Sequence, residues 1–466
     1  MNFFGCFLFN CFLGAVFLKK REIDIVNGKL STGILFVGMP LMLTNVLQVL
    51  FNMSDIAIVG RFSGAEALGC VGSTSMIVAL FTGILIIGIG SSINVIVAQC
   101  LGKGDNRETH DCVHTCFITA LVGGVIVMLI SLSASGALLK VLGTKEELEA
   151  GARLYMAIYS FGFPALAVYN YGNGVLSAAG NTKIPLYILF ISGIINVILN
   201  LFFVIVLKMS VDGVALASVI SLYISAVVIT LSLVRSDTVY KLHLRNIKVN
   251  RVYIKKVTAL GIPGALQSSI FSFANLFIQA GINKLDTVMV EGNAVASNVD
   301  TLVFNIMESF YTAGSSFIGQ NFGAGKKKRI KKSYFISTGY ALISALVSGI
   351  VLFFFGRSVL SIFTTDPEVI DAAMLKLNIM RFSYLLCPFM DNTITASRGI
   401  GKSFMPTAIV VTGSCVFRIF WVYTVFARFM TVPSLYIVYP ISWAITAIAE
   451  IIYFMYAFKK LTKNMA

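Results

Sequence analysis

The sequence predicts an all-α polytopic membrane protein of about twelve transmembrane helices in two parallel six-helix repeats. Three observations predict it. The composition suits lipid: 57% of the 466 residues are hydrophobic and only 12% are charged. The mean hydropathy is +0.87, whereas a soluble chain carries about a quarter charged residues. Apolar runs of about 20 residues, long enough to span a bilayer, recur along most of the chain. The third observation is a duplication. Gly38-Met39-Pro40 returns as Gly261-Ile262-Pro263, and Asn52 as Asn275. Gln99-x-x-Gly102-x-Gly104 returns as Gln320-x-x-Gly323-x-Gly325, and Gly180 and Pro185 return as Gly401 and Pro406. The order is kept and the offset is nearly constant. Two similar membrane units that rock about a shared midplane site are the usual build of a transporter.

The first repeat reads as spans near 33–59, 68–100, 112–138, 152–178, 184–208 and 212–234. The second reads as 257–283, 293–321, 333–361, 370–397, 405–428 and 433–457. An even number of spans returns the chain to its starting side, so the repeats are parallel, related by a pseudo-two-fold axis along the membrane normal. The expected organisation is an N-terminal apolar segment with a basic flank (1–29), an N-lobe (30–235), a basic link (236–256), a C-lobe (257–458) and a tail (459–466). Residues 1–18 read as an interfacial helix or a misassigned start, since a secretory signal requires a basic start and a small-residue cleavage site. The link is too short for a domain core.

Charge orients the chain. Lys19, Lys20 and Arg21 precede the first span, and Lys103 and Arg107 follow the second. Arg235, Lys241, Arg245, Lys248, Arg251, Lys255 and Lys256 crowd the link. Lys326 to Lys332 follow the eighth span, and Lys459, Lys460 and Lys463 close the chain. With both termini cytoplasmic, all of these fall on the cytoplasmic side of the plasma membrane. The opposite loops carry Lys145-Glu146-Glu147 and Asp366-Pro367-Glu368. Topology and anionic lipid thus explain the net charge of +15,. No groove-reading motif accompanies the Lys326–Lys332 run, so nucleic acid is not an expected partner.

The eight cysteines lie in or beside apolar runs and read as small packing residues,. In His110-Asp111-Cys112-Val113-His114-Thr115-Cys116, the two histidines share one helix face and so do the two cysteines,. That pattern suits a metal, but no second ligand-rich segment accompanies it. The expectation is no metal and no cofactor.

Polar residues inside spans carry the functional signal, because lipid penalises them. Asn45, Gln48, Asn52 and Asp55 follow one another at helical spacing on one face of the first span, below Pro40,. Pro40 removes a backbone hydrogen bond and permits a bend, as does Pro263 in the seventh span. No Lys or Arg on its own span can pair with Asp55, so this carboxylate holds a proton or a cation. Ser192, Asn196 and Asn200 stripe the fifth span, and Ser218, Ser221 and Ser225 the sixth. Asp55, Asn196, Asn200 and Ser218 would supply the oxygen ligands that a hard cation such as Na⁺ prefers. The bland reading of such amides and hydroxyls is interhelical bonding. In the eighth span Asn298, Thr301, Asn305, Glu308, Thr312 and Ser315 form a continuous polar face, with Asp300 on another face. The seventh span carries Gln267, Asn275 and Gln279. Gln48, Asn52, Asn275, Asn305 and Glu308 are therefore the candidate cavity residues. Arg418 and Glu450, at similar depths of consecutive spans, read as a structural ion pair. Aromatic and methionine side chains beside these faces would suit an amphipathic organic cation.

The run Pro40 … Asn52-Met53-Ser54-Asp55 … Val59-Gly60, then Gln99-x-x-Gly102-x-Gly104, resembles the MATE family of multidrug and toxic compound extrusion transporters. So do the second copy, Pro263 … Gln320-Asn321-Phe322-Gly323-Ala324-Gly325, and the stretch Arg398-Gly399-Ile400-Gly401-Lys402 … Pro406. The resemblance covers about residues 30–460. It implies a bacterial-type antiporter of two six-helix lobes, in which inward Na⁺ or H⁺ drives small-molecule drugs outward by a rocker-switch motion. It also implies a coupling role for Asp55, with Asn196 and Asn200 at the fifth-helix pair and Ser218 at a sixth-helix hydroxyl. Some members carry a second acid where Asn200 stands. Others carry a seventh-helix glutamate, where this chain reads Ser269-Ile270-Phe271-Ser272-Phe273.

Two other transport readings compete. A lipid-linked oligosaccharide flippase of the same superfamily would want a basic cavity, which Asp55 and Glu308 disfavour. A major facilitator also has six plus six helices, but the duplicated Gln-x-x-Gly-x-Gly argues against it. The chain has no zinc-protease His-Glu-x-x-His, no Gly-x-Ser-x-Gly and no phosphate-binding loop, so it does not read as an enzyme. No obligate protein partner is evident; the expected partners are small-molecule substrates and the bilayer.

Overall fold

The structure, a computed structural model, describes residues 23–465. The apolar segment expected at residues 1–18 lies outside the described residues. Among those described, the regular structure is helical, with no strand. The first repeat forms α1 (Leu30–Phe62), α2 (Gly64–Lys103), α3 (Asn106–Val141), α4 (Glu146–Ser160), α5 (Phe163–Ala178), α6 (Lys183–Val206) and α7 (Val211–Val234). The second forms α8 (Arg251–Ile282), α9 (Thr287–Gly323), α10 (Lys327–Leu360), α11 (Pro367–Ser383), α12 (Cys387–Gly399), α13 (Phe404–Phe429) and α14 (Val432–Leu461).

Among the described residues, nine helices are long and apolar enough to cross a membrane. The remaining expected spans are α9 and the two broken helices, α4/α5 and α11/α12. The polar face of α9 lowers its hydropathy. Each break sits at the same place in its repeat and is followed by a proline in the first turn of the next helix, Pro164 in α5 and Pro388 in α12. A proline is tolerated there because that turn's N–H has no intrahelical partner.

The repeated glycines have a backbone cause. Gly104, Gly325, Gly180 and Gly401 all adopt positive φ, where a Cβ is strained. They end α2, α9, α5 and α12, so each repeat uses the same two left-handed stops. Aspartates cap two helix starts: Asp105, directly after Gly104, accepts from the Arg107 and Glu108 amides of α3, and Asp366 accepts from the Glu368 amide of α11,.

Two compact units emerge. The first holds Leu47–Gly261 with the described residues up to Gly28, and the second holds Lys29–Val46 and the described residues from Ile262 onward. The unit boundary therefore runs through α1 and α8, each of which carries an internal proline, Pro40 and Pro263. In the first unit α5 packs on α2, α3 and α7, and α6 packs on α7. In the second, α9 packs on α10, α11 and α12, and α12 on α14. The outer faces are apolar: Val122, Ile126, Leu129 and Ile130 of α3 are exposed, as are Ile445, Ile448, Ile452 and Met455 of α14. Exposed rows of large apolar side chains on this scale fit lipid as the solvent.

Candidate functional site

In the first unit the periodicity of three helices converges on one carboxylate. Asn200 Nδ2 donates to Asp55 Oδ1 at 2.5 Å and also lies 3.3 Å from Asn196 Oδ1. Asn196 Nδ2 reaches Ser218 Oγ at 3.5 Å. Asn196, Asn200 and Ser218 are buried, and Asp55 is half-buried. The structure thus brings together the four residues expected as a cluster. Among the described residues no basic side chain forms an ion pair with Asp55. Asn200 Oδ1 is buried without a hydrogen-bond partner, an oxygen that a cation or its water could use.

A close helix approach makes this geometry possible. Phe51, one turn above Asp55 on α1, lies over Gly193 of α6, and a Cβ at Gly193 would collide with the Phe51 ring. Gly193, Asn196 and Asn200 share one face of α6. The glycine lets α1 settle against that face, and the two amides then meet the acid. After Asn200 the backbone widens into a π-turn at Phe202–Val206, an irregularity often found beside functional groups.

The rest of the first-span face divides. Asn45 belongs to the second unit, where its Nδ2 donates to the Asn305 carbonyl and to Ser309 Oγ, each at 3.2 Å. Gln48 is half-buried and Asn52 exposed. In the second unit Asn275 is exposed, Glu308 is half-buried, and the half-buried Asn305 donates to its own helix at Thr301 O, 2.8 Å. Gln267 is taken by Arg398, whose Nη2 donates to its Oε1 at 2.9 Å.

The ion pair expected between Arg418 and Glu450 does not form. Arg418 Nε donates to Ser442 Oγ at 3.1 Å. Its guanidinium lies over Tyr439 at 4.7 Å, Phe271 at 5.3 Å and Trp443 at 6.0 Å. Ser442 and Glu450 are about 12 Å apart along α14 at 1.5 Å per residue, so an arginine held at Ser442 cannot reach the acid. Cation–π contacts replace the carboxylate. Glu450 is fully buried, and neither of its carboxylate oxygens has a hydrogen-bond partner.

A different buried pair was missed by sequence reasoning. Lys376 Nζ of α11 lies 2.9 Å from Asp300 Oδ2 of α9. It also donates to Ser297 Oγ at 2.8 Å and Asn293 Oδ1 at 3.1 Å. Tyr384 donates to Asp300, and Tyr436 to Asn293. The available signal was a lone lysine in the tenth span. The link also supplies a partner for the histidines of α3: His243 joins His110 and His114, with one ligand atom from each within 4.8 Å of the others.

Comparison with known proteins accounts for this architecture. The MatE family model matches the chain twice, over residues 40–202 and 263–424, once in each repeat. A probable multidrug resistance protein NorM of Thermotoga maritima is 25% identical over 412 residues, covering 84% of each chain. An FAD transporter of Shewanella oneidensis is 24% identical over 358 residues, 74% of this chain and 78% of its own. The crystal structure of MATE in complex with MaL6 superposes with a TM-score of 0.88 at 21% identity, over 96% of this chain and 100% of that one. Double coverage by one family model, on a chain of duplicated six-span repeats, makes this protein a multi-pass membrane transporter of the MatE family, the multidrug efflux family, and not an enzyme.

Proposed function

We propose that this transporter is a cation-coupled antiporter of the plasma membrane, with Asp55 as its coupling carboxylate and amphipathic, mainly cationic compounds as its exports. The observation that carries the reading is Asp55 hydrogen-bonded to Asn200, with Asn196 and Ser218 behind it and, among the described residues, no ion-paired base. A carboxylate within a membrane span costs several kcal/mol unless a proton or cation neutralises it. H⁺ can neutralise it by protonation. Na⁺ can do so by taking the carboxylate and the amide and hydroxyl oxygens as hard ligands.

Neutralisation changes what α1 can do. The helix passes from one compact unit to the other between Val46 and Leu47, six residues beyond Pro40. A charged Asp55 favours the arrangement that hydrates it, and a neutral Asp55 favours the one that buries it against α6. The ion's differential affinity for the two states then biases the rocking that carries substrate outward. Glu308, Asn305 and Asn275 in one unit and Gln48 and Asn52 in the other are the substrate-facing candidates, with Glu308 favouring cations.

The test is Asp55→Asn, which keeps size and hydrogen bonding and removes the charge. In proteoliposomes it should abolish drug movement driven by a Na⁺ or H⁺ gradient while leaving expression and fold intact. Gradient-driven export at a near wild-type rate would refute the assignment. Running both gradients, with and without a protonophore, identifies the ion. A second reading, an anionic flavin dinucleotide as cargo, is favoured by the Shewanella relative named an FAD transporter. Parallel uptake assays with FAD and a cationic dye separate the two cargoes.

A further inference from the structure

We propose that His110, His114 and His243 form a binding site for a divalent transition cation of the Zn²⁺ class, clasping the link between the repeats to the start of α3. These are the only three histidines in the chain. Two sit one helical turn apart near the N-terminus of α3, and the third arrives from the link more than 120 residues later. Chance convergence of all three is improbable, and imidazole is the preferred ligand of Zn²⁺, Ni²⁺ and Cu²⁺.

The geometry fits the ion. His110 Nε2 and His243 Nδ1 face each other at 3.2 Å. Two nitrogens bound tetrahedrally to Zn²⁺ at about 2.0–2.1 Å stand about 3.3–3.4 Å apart. All three ligand atoms lie within 4.8 Å of one another, and ring rotations at His110 and His243 would have to bring them to that value. His243 is exposed and His110 half-buried, so both can make them. Zinc sites with three protein ligands leave a fourth position for water.

The outer nitrogens are held as metal-bound imidazoles usually are. His114 Nδ1 donates to its own helix at the His110 carbonyl, 2.7 Å, which leaves Nε2 as the lone-pair nitrogen. That Nε2 now accepts the His243 backbone N–H at 2.8 Å and would exchange this bond for the metal. His110 Nδ1 lies 4.0 Å from Asp111 Oδ1, a carboxylate–histidine arrangement one short movement from closure. Asp105, Glu108 and Asp111 on the first turns of α3 offset the basic link. The link is docked independently of any ion: the Asn250 amide donates to Thr115 Oγ1 at 3.0 Å, and Thr115 Oγ1 donates to the Lys248 carbonyl at 3.3 Å. A metal would tighten an existing seam between the two repeats' connecting segment and α3.

The experiment uses the full-length, tag-free protein in detergent, stripped with EDTA and then titrated with Co²⁺ and Zn²⁺. The wild type should bind one equivalent per chain, with the d–d absorption of four-coordinate Co²⁺, displaced by Zn²⁺. Zn²⁺ should raise its melting temperature. His243→Gln, on the exposed link, should melt like metal-free wild type yet lose at least tenfold in affinity and lose the Zn²⁺-induced rise. Asp111→Asn should weaken binding about tenfold through the outer hydrogen bond. Equal binding by wild type and the His110→Gln/His243→Gln double variant would overturn the proposal. So would a thiolate-to-Co²⁺ charge-transfer band, which would assign the ion to Cys100, Cys112 or Cys116 instead. None of these readouts depends on transport, so the result stands apart from the role given to Asp55.

Discussion

Removing the ammonium of Lys376 should destabilise the second unit far more than removing both charges of its pair. Lys376 and Asp300 are buried, 2.9 Å apart, and the ammonium also holds Ser297 and Asn293. Lys376→Met keeps the length of the side chain and strands the Asp300 carboxylate with Tyr384 as its remaining hydrogen-bond donor. Stranding one partner of a buried pair costs about 3–5 kcal/mol. Asp300→Asn should fall at the lower end of that range, because two neutral acceptors still hold the ammonium. The double variant carries no charge at this site and loses only neutral hydrogen bonds, on the order of 1–2 kcal/mol. The cycle should therefore return a favourable coupling of about 4–7 kcal/mol.

The chain offers its own probe. Its two tryptophans, Trp421 and Trp443, both lie in the second unit, so intrinsic fluorescence during SDS titration of the detergent-solubilised protein reports the unit that holds the pair. Single-variant losses that simply add in the double variant, within about 0.5 kcal/mol, would refute the coupled network. A structural pair also predicts that the double variant still transports once refolded material is matched.

Gly193→Ala should cost about 1–3 kcal/mol by overpacking against Phe51 and lower gradient-driven export severalfold; wild-type transport and stability would show that the α1–α6 approach is not what holds Asp55 at Asn200. Glu308→Gln should weaken export of cationic substrates more than of neutral ones in paired dye-efflux assays, and equal losses would assign Glu308 a structural role. Arg245→Cys on a Cys-less background should be labelled only by reagents that reach the cytoplasm, since the link lies on the basic side; labelling from outside alone would invert the topology.

Most of the fold was legible because lipid imposes a strict rule. Backbone that crosses it must be helical and long, so apolar runs translate directly into α1 to α14. The two breaks were less visible, since Phe161-Gly162 and Tyr384–Leu386 interrupt spans without interrupting hydrophobicity. The cluster at Asp55 was legible for a related reason: acids are rare in spans, and helical periodicity fixes which amides share a face. Pairings between distant helices were not legible. Periodicity put Arg418 and Glu450 at similar depths, but the aromatic trio Tyr439, Phe271 and Trp443 holds the arginine two turns away. Periodicity could not show that Asp300 would find Lys376, nor that a histidine in a polar link would fold back onto α3. Each of those contacts depends on how helices pack, which a single helix's spacing does not encode.

The duplication makes the asymmetry of the charge informative. At the repeat's offset, Asp55, Asn196 and Asn200 correspond to Ile278, Phe417 and Trp421. In the second unit Ile278 is buried in an apolar cluster against which Trp421 packs, and the Phe417 and Trp421 rings stand 5.8 Å apart. The same helix positions that carry acid and amides in one repeat carry only hydrocarbon and aromatic surface in the other. Helix-to-helix bonding alone would have been served equally well by either chemistry, since apolar packing holds the second unit together there. Retaining a carboxylate in only one copy adds a desolvation cost of several kcal/mol that apolar side chains would avoid. The cost is offset if the acid binds an ion in one state of the cycle and releases it in the other. If Asp55 couples as proposed, a single unit would carry the coupling ion, and the matching positions of the other are apolar.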